Sequence, residues 1–272
     1  MRPTAAAVLA ELESWAPAGL AESWDNVGLQ VGDPGREVGK VLVALDPAAG
    51  ALEAADRRGA DLVVTHHPLL FEPLASVDLS RPVPSLVAGF LRAGICLVAL
   101  HTNLDAVPGG VSDQLACALG LTEVRPLVPA ASGPPGSGLG RIGRLPEAET
   151  LGDVLGRLAG ALDAPWLRVV GEEGRLVRIA ALCGGAGSSL WPEVLAAGAD
   201  LFVTGEIKHS VAREAEAAGV ALVDAGHFRT ERPVVRVVRD FLRRRAGALG
   251  WEVVVEAFED EPDPFRLWTS AR

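Results

Sequence analysis

Gly59-Ala-Asp-Leu-Val-Val-Thr65 and Gly198-Ala-Asp-Leu-Phe-Val-Thr204 are near-copies of one another from opposite halves of the chain. In each, a Gly-Ala-Asp turn feeds a short run of branched apolar residues, the composition of a buried strand. A second pair follows in the same order. Gly94-Ile-Cys-Leu-Val-Ala-Leu-His101, with Asp105 four residues on, has a counterpart in Gly219-Val-Ala-Leu-Val-Asp-Ala-Gly-His227, with Glu231 four residues on. Two matched motifs in one order read as the duplication of an α/β unit. The alternative is chance recurrence of turn signals before strands.

Working outward, apolar runs at Lys40–Leu45, Leu62–Thr65, Cys96–Leu100, Val177–Leu182, Leu201–Thr204, Ala221–Val223 and Trp251–Ala257 read as strands. They lack strict alternation, which suits strands covered on both faces. Segments of helical period lie between them, at Ala48–Arg58, Val83–Ala93, Val111–Leu119, Leu151–Leu162, Pro192–Ala197, Val211–Ala218 and Pro233–Arg245. Alternation of this kind predicts an α/β architecture. The Pro/Gly/Ser-rich stretch Pro129–Gly140 marks a break between halves. The expected organisation is an N-terminal lobe over 1–128, a linker and connecting segment over 129–175, and a C-terminal lobe over 176–272. In open α/β sheets ligands bind beyond the carboxyl ends of strands, so facing lobes would share one cleft.

Composition narrows the function. The chain has 272 residues, with room for two lobes, and a formal net charge of -10, which argues against binding nucleic acid or an anionic membrane surface. No apolar run is long enough for a membrane span, and the acidic N-terminus, Met1–Glu13, reads as an amphipathic helix capped by Thr4 rather than a signal peptide. Cys96, Cys117 and Cys183 show no CxxC spacing, which fits buried thiols in a reducing compartment. A cytoplasmic protein is expected.

All five histidines follow apolar runs: His66-His67, His101, His209 and His227. Imidazoles and carboxylates at strand ends suggest one polyvalent site, most simply a metal centre. His66-His67 precedes Pro68, which holds His67 extended; at a frayed strand end the two rings can diverge, each to its own ion. The plainer reading is a surface His-His-Pro turn. His227 and Glu231, like His101 and Asp105, have the i, i+4 spacing that places both groups on one helix face. Separately, Glu231 reads as well as first-turn compensation of a helix dipole, and Asp105 as a cap for the helix near Val111. Ser23-Trp-Asp-Asn-Val-Gly-Leu-Gln30 either lines the cleft or forms an Asx turn. Glu206, at the strand end equivalent to His66-His67, is a candidate catalytic or ligand-orienting carboxylate. Lys208, one of only two lysines, is a candidate for an anionic substrate group, or a solvated helix-start residue.

Taken together, Ser23-Trp-Asp-Asn-Val-Gly-Leu-Gln, Thr65-His-His-Pro, His101-Thr-Asn-Leu-Asp, Thr204-Gly-Glu and Gly226-His-Phe-Arg-Thr-Glu resemble the NIF3-like dinuclear metal-centre proteins, also called GTP cyclohydrolase 1 type 2 homologues. The resemblance spans nearly the whole chain. It implies a two-lobed α/β fold with a metal site in the cleft, assembly as a toroidal homohexamer, and metal ligands at His66, His67, Asp105, His227 and Glu231. His101 matches the extra histidine near the site. The short stretch between the lobes implies the form without an inserted domain.

The expected function is therefore that of a dimetal hydrolase of cyclohydrolase type on a small, nucleotide-like substrate. Its cofactors would be two divalent ions among Zn, Fe, Mn or Co. Glu206 or His101 would move protons, and Lys208, Arg229 or Arg232 would hold phosphates. A dimetal phosphoesterase and a non-catalytic metal-binding scaffold are the competing readings.

Overall fold

A computed structural model describes residues 1–268. Eleven strands form two sheets: β1 (Gly28–Val31), β2 (Lys40–Ala44), β3 (Leu62–Thr65), β4 (Cys96–Ala99), β5 (Thr122–Pro129), β6 (Gly138–Thr150), β7 (Arg168–Val170), β8 (Leu176–Leu182), β9 (Leu201–Thr204), β10 (Ala221–Asp224) and β11 (Val254–Ala257). The helices are α1 (Ala5–Trp15), α2 (Ala49–Arg58), α3 (Pro82–Ala93), α4 (Thr102–Ala106), α5 (Val111–Ala118), α6 (Leu151–Ala161), α7 (Trp191–Ala196), α8 (His209–Ala218), α9 (His227–Glu231) and α10 (Pro233–Leu249). Thr4 caps α1 by accepting from the Ala7 N–H at 3.2 Å.

The first sheet runs β1-β4-β3-β2-β11 and the second β5-β6-β8-β9-β10-β7. Each contains the same four-strand unit. β2, β3 and β4 are parallel, with β1 antiparallel on the β4 edge. β8, β9 and β10 are parallel, with β7 antiparallel on the β10 edge. The repeated Gly-Ala-Asp turn explains the match. Asp61 Oδ2 accepts from the N–H groups of Gly39 and Lys40, and Asp200 Oδ2 accepts from those of Arg178 and Ile179. Each aspartate thus ties the start of one strand to the neighbour it must pair with. Gly59 and Gly198 both enter the turn at positive φ, +64° and +68°, where a side chain would be strained.

Both sheets are buried on both faces, which accounts for the unbroken apolar runs. In the first, Val41, Val43 and Val64 face α1 and α10, while Leu42, Val63 and Leu97 face α2 and α3. In the second, Leu201, Val203 and Val223 face α5 and α6, while Ala181, Phe202 and Leu222 face α7 and α8.

The boundaries differ from those expected of the lobes. The segment 129–175 carries β6, α6 and β7 of the second sheet, and Pro129–Gly140 is the turn of the β5–β6 hairpin. Residues 233–257 return to the first lobe, where α10 packs and β11 pairs in parallel with β2. Arg141 on β6 joins the lobes. Only 2% exposed, it makes a two-pronged ion pair with Asp113 and donates to the carbonyls of Gly138, Gly140, Ala106 and Val107.

Candidate metal centre

The carboxyl ends of six parallel strands meet between the lobes. β3 ends in His66 and His67, and β4 in His101. After β10 the chain turns through Gly226 into α9, whose single turn places His227 and Glu231 on one face. Asp105 comes from α4, which begins directly after His101. Asp46 follows β2, Cys183 follows β8, and Gly205-Glu206 follows β9.

Every clustered imidazole is oriented by a hydrogen bond at Nδ1. His66 Nδ1 donates to the Leu100 carbonyl at 2.9 Å, and His67 Nδ1 to Asp46 at 2.7 Å. His101 Nδ1 donates to Asp25 at 2.8 Å, and His227 Nδ1 to Glu206 at 2.9 Å. A carbonyl or carboxylate oxygen can only accept, so the proton at each bond sits on Nδ1 and Nε2 is turned inward. This is the arrangement of metal-ligating histidines.

The inward atoms converge. His67 Nε2 and His227 Nε2 lie 3.3 Å apart, and Glu231 Oε2 lies 3.1 Å and 3.0 Å from them. His66 Nε2 lies 3.7 Å from both Asp105 Oδ1 and Glu231 Oε1. Yet His66 Nε2, Asp105 Oδ1 and Glu231 Oε2 are buried without a hydrogen-bond partner. Buried polar atoms at contact distance, but misaligned for hydrogen bonds, fit a shared cation. Three groupings offer ligand atoms within 4.8 Å of one another: His66-Asp105-Glu231, His67-His227-Glu231 and His66-His67-His101.

The electrostatics are those of a site that wants positive charge. Burial works against a charged His67, but Asp46 and Glu231 outweigh it and raise its pKa to about 10. His227 is raised to about 9 by Glu231 and Glu206 against the same burial. Burial pushes Asp105 up to about 7, against the pull of His66. Burial also opposes charge on Glu231, but the facing imidazoles hold it well below the usual carboxylate range.

Backbone glycines make room for this cluster. A Cβ on Gly185, which has φ +60°, would collide with Glu231 Oε1, and one on Gly205 would lie 2.7 Å from His227 Cα. The sequence signal for this approach is the pair Gly184-Gly185 at the end of β8.

The remaining candidates lie elsewhere or in other roles. Glu206 is engaged with His227 Nδ1. Lys208 precedes α8 and lines an adjoining cavity with Ala186, Ser188, Ser189, Glu206 and Ile207. Arg229 donates to the carbonyls of Leu162 and Asp163, and Arg232 to that of Glu259 at 2.6 Å. Both lie on the far side of α9, beside Phe258 rather than the histidines. His209 also lies apart from the cluster, beside Arg175 and Arg213. Glu231 is no first-turn group of α10, because its carboxylate is buried among the imidazoles. Asp46 had escaped notice, although it ends a strand just as the histidines do.

A two-lobed α/β protein with strand-end histidines and carboxylates gathered into a candidate metal site is the class that fold and geometry define. The sequence profile of the family Duf34/NIF3 (NGG1p interacting factor 3) matches residues 3–264, and the chain belongs to that family. A Streptomyces coelicolor protein named GTP cyclohydrolase 1 type 2 homolog is 40% identical over 98% of this chain and 94% of its own. The Drosophila melanogaster NIF3-like protein 1 is 32% identical over 95% of this chain and 87% of its own. Among solved structures, a Bacillus cereus protein related to NIF3 superposes with a TM-score of 0.92 at 25% identity, covering 98% of this chain and 100% of that one.

Proposed function

We propose that this chain is a dinuclear metal-dependent hydrolase of GTP cyclohydrolase type, acting on a nucleotide-like substrate. The observation that carries the reading is the sharing of Glu231. It belongs both to the group with His66 and Asp105 and to the group with His67 and His227. One carboxylate held between two ligand sets is how adjacent ions are bridged. When bound, a pair of divalent ions among Zn, Fe, Mn or Co supplies Lewis acidity and a lowered pKa for water.

The chain's own residues set the rest. Asp46, Glu206 and the Leu100 carbonyl hold the protons on Nδ1 of His67, His227 and His66, so that each Nε2 keeps its lone pair for a ligand bond. His101 stands beside His66 and His67, ring centroids 5.2 Å and 5.5 Å away, with Asp25 fixing its tautomer. That placement suits it to carry a proton to or from substrate at Nε2. Glu206, already the acceptor for His227, acts as an orienting group.

Metal analysis comes first: about two ions per chain, falling in His67→Ala. Protein loaded with each metal is then given GTP. Formate release supports the reading. Phosphate release without formate indicates a phosphoesterase. Full metal content with no turnover across nucleotides and phosphoesters overturns the hydrolase and leaves a metal-binding scaffold. The same reading carries a cytoplasmic homohexamer, tested by the native mass in light scattering. No helix among the described residues is long and apolar enough to cross a membrane.

A further inference from the structure

The histidine–carboxylate cluster opens into two cavities, and the aromatic pair in the wall of one has no role in the chemistry above. That cavity, of about 420 Å³, is flanked by Trp24, Phe71, Pro68 and His101 on one side and by Leu139 and Leu190 on the other. Trp24 and Phe71 are 55% and 49% exposed, an unusual state for two large rings side by side. Their centroids are 5.6 Å apart, and each stands edge-on to His101, at 6.0 Å and 6.3 Å.

The rings are held there by design of the loops beneath them. Asn26 Nδ2 donates to the Leu70 carbonyl, and the Leu70 N–H donates to Gln30 Oε1 at 3.1 Å, stitching the Trp24 loop to the Phe71 loop. Asp25, next to Trp24, accepts from His101 Nδ1 at 2.8 Å and from the Thr102 N–H at 3.0 Å. Burial opposes its charge, but these bonds hold its carboxyl well below the usual range. The aromatic wall is thereby fixed relative to the imidazole cluster.

The charge of the cavity is equally specific. Among the described residues no lysine or arginine lines it; its carboxylates are Glu22, Asp105 and Glu231 and its imidazoles His67, His101 and His227. The second cavity, of about 450 Å³, is lined by Arg168, paired with Asp224 at 3.0 Å, and by His67 and His227. Lys208 lines an adjoining cavity that shares Ala186 and Ser189 with the first and Glu206 with the second, whereas Arg229 and Arg232 line another, beside Phe258.

We propose that the Trp24–Phe71 cavity binds the planar ring of a nitrogen heterocycle, the purine base of the nucleotide-like substrate. The proposal rests on the metal-centre reading for its location and narrows the substrate. A base stacks on an aromatic wall whatever its sequence of ring atoms. Ring N–H donors find an acceptor in Glu22.

The test is calorimetric titration of metal-loaded protein with guanosine, GTP and ribose 5-phosphate. Guanosine and GTP are both expected to bind, and ribose 5-phosphate far more weakly. Trp24→Ala should weaken guanosine about ten-fold with metal content unchanged, and Trp24→Phe should restore most of the loss. Phe71→Ala provides a second variant on an independent loop. Indifference of guanosine to both alanine variants, or no guanosine binding at all, overturns the proposal. Guanosine binding without turnover defeats the hydrolase reading alone; turnover of GTP without the aromatic dependence defeats this proposal alone.

Discussion

His67 and His227, from different lobes, point Nε2 at Nε2 across 3.3 Å, while their Nδ1 atoms are held by Asp46 and Glu206. Glu231 Oε2, 3.1 Å and 3.0 Å from the two nitrogens, holds the pair when the rings are protonated, and a cation between them would take the place of those protons. The pair is therefore a measure of how far each lobe contributes to the centre.

Glu231 is the group common to the two ligand sets that contain a carboxylate. Glu231→Gln should reduce bound metal by well over half, whereas His66→Ala should remove chiefly one of the two ions. Elemental analysis after gel filtration distinguishes the outcomes; equal loss in both variants would argue against a bridging position.

The raised histidines give a pH dependence. In metal-free protein His67 and His227 have pKa values near about 10 and about 9, against 6.5 for the unperturbed ring. The folded state thus binds these protons more tightly than the unfolded chain. The stability they contribute is fully present below pH 6.5 and is lost as pH rises through 9 to 10. Chelator-treated protein should show a Tm that falls across this window, with a flatter profile in His67→Ala. Metal must displace the same protons, so affinity should rise over that range. Titrations at pH 7 in buffers of different ionisation enthalpy should register proton release.

Arg141→Met leaves Asp113 without its buried partner and releases the carbonyls of Ala106 and Val107 at the end of α4. Loss of one member of such a pair costs about 3 kcal/mol, read by urea denaturation of the metal-free protein. Because α4 carries Asp105, metal occupancy at the His66-Asp105-Glu231 group should fall as well.

Gly185→Ala drives a methyl group into Glu231 Oε1 from a backbone held at φ +60°. The left-handed conformation alone costs about 1–2 kcal/mol. Metal content should fall more sharply than Tm, because the displaced atom is a ligand candidate. Gly174→Ala, where an added Cβ meets nothing within 4 Å, is the control and should keep its metal.

The parallel strands could be read from sequence because burial on both faces demands continuous apolar residues. Elements built otherwise were silent. β6, Gly138–Thr150, mixes glycine, arginine, proline and glutamate, and its turn imitates a linker. β1 and β7 are short edge strands, one of them carrying the polar Gln30. At the site, His66, His67, Asp105, His227 and Glu231 could be grouped because the strand ends of two facing sheets share one cleft. The arginines misled because composition says nothing about direction. Arg229 is two residues from both His227 and Glu231, which places it on the opposite face of a helix on which those two align. Asp46 ends β2 in a Leu-Asp-Pro context that no spacing rule singles out.

The strand at Val254–Ala257 completes the first sheet beside β2, and just beyond it Glu261 accepts from the N–H groups of Leu45 and Asp46. Asp46 in turn orients His67. A ribosome delivers the chain from the other end, and lobes ordinarily fold as they emerge. Here the early lobe stays one strand short until nearly everything else has been made. The imidazole at position 67 is then steadied by residues translated almost two hundred codons later, so a truncated product would keep its histidines but lose the means of aiming one of them.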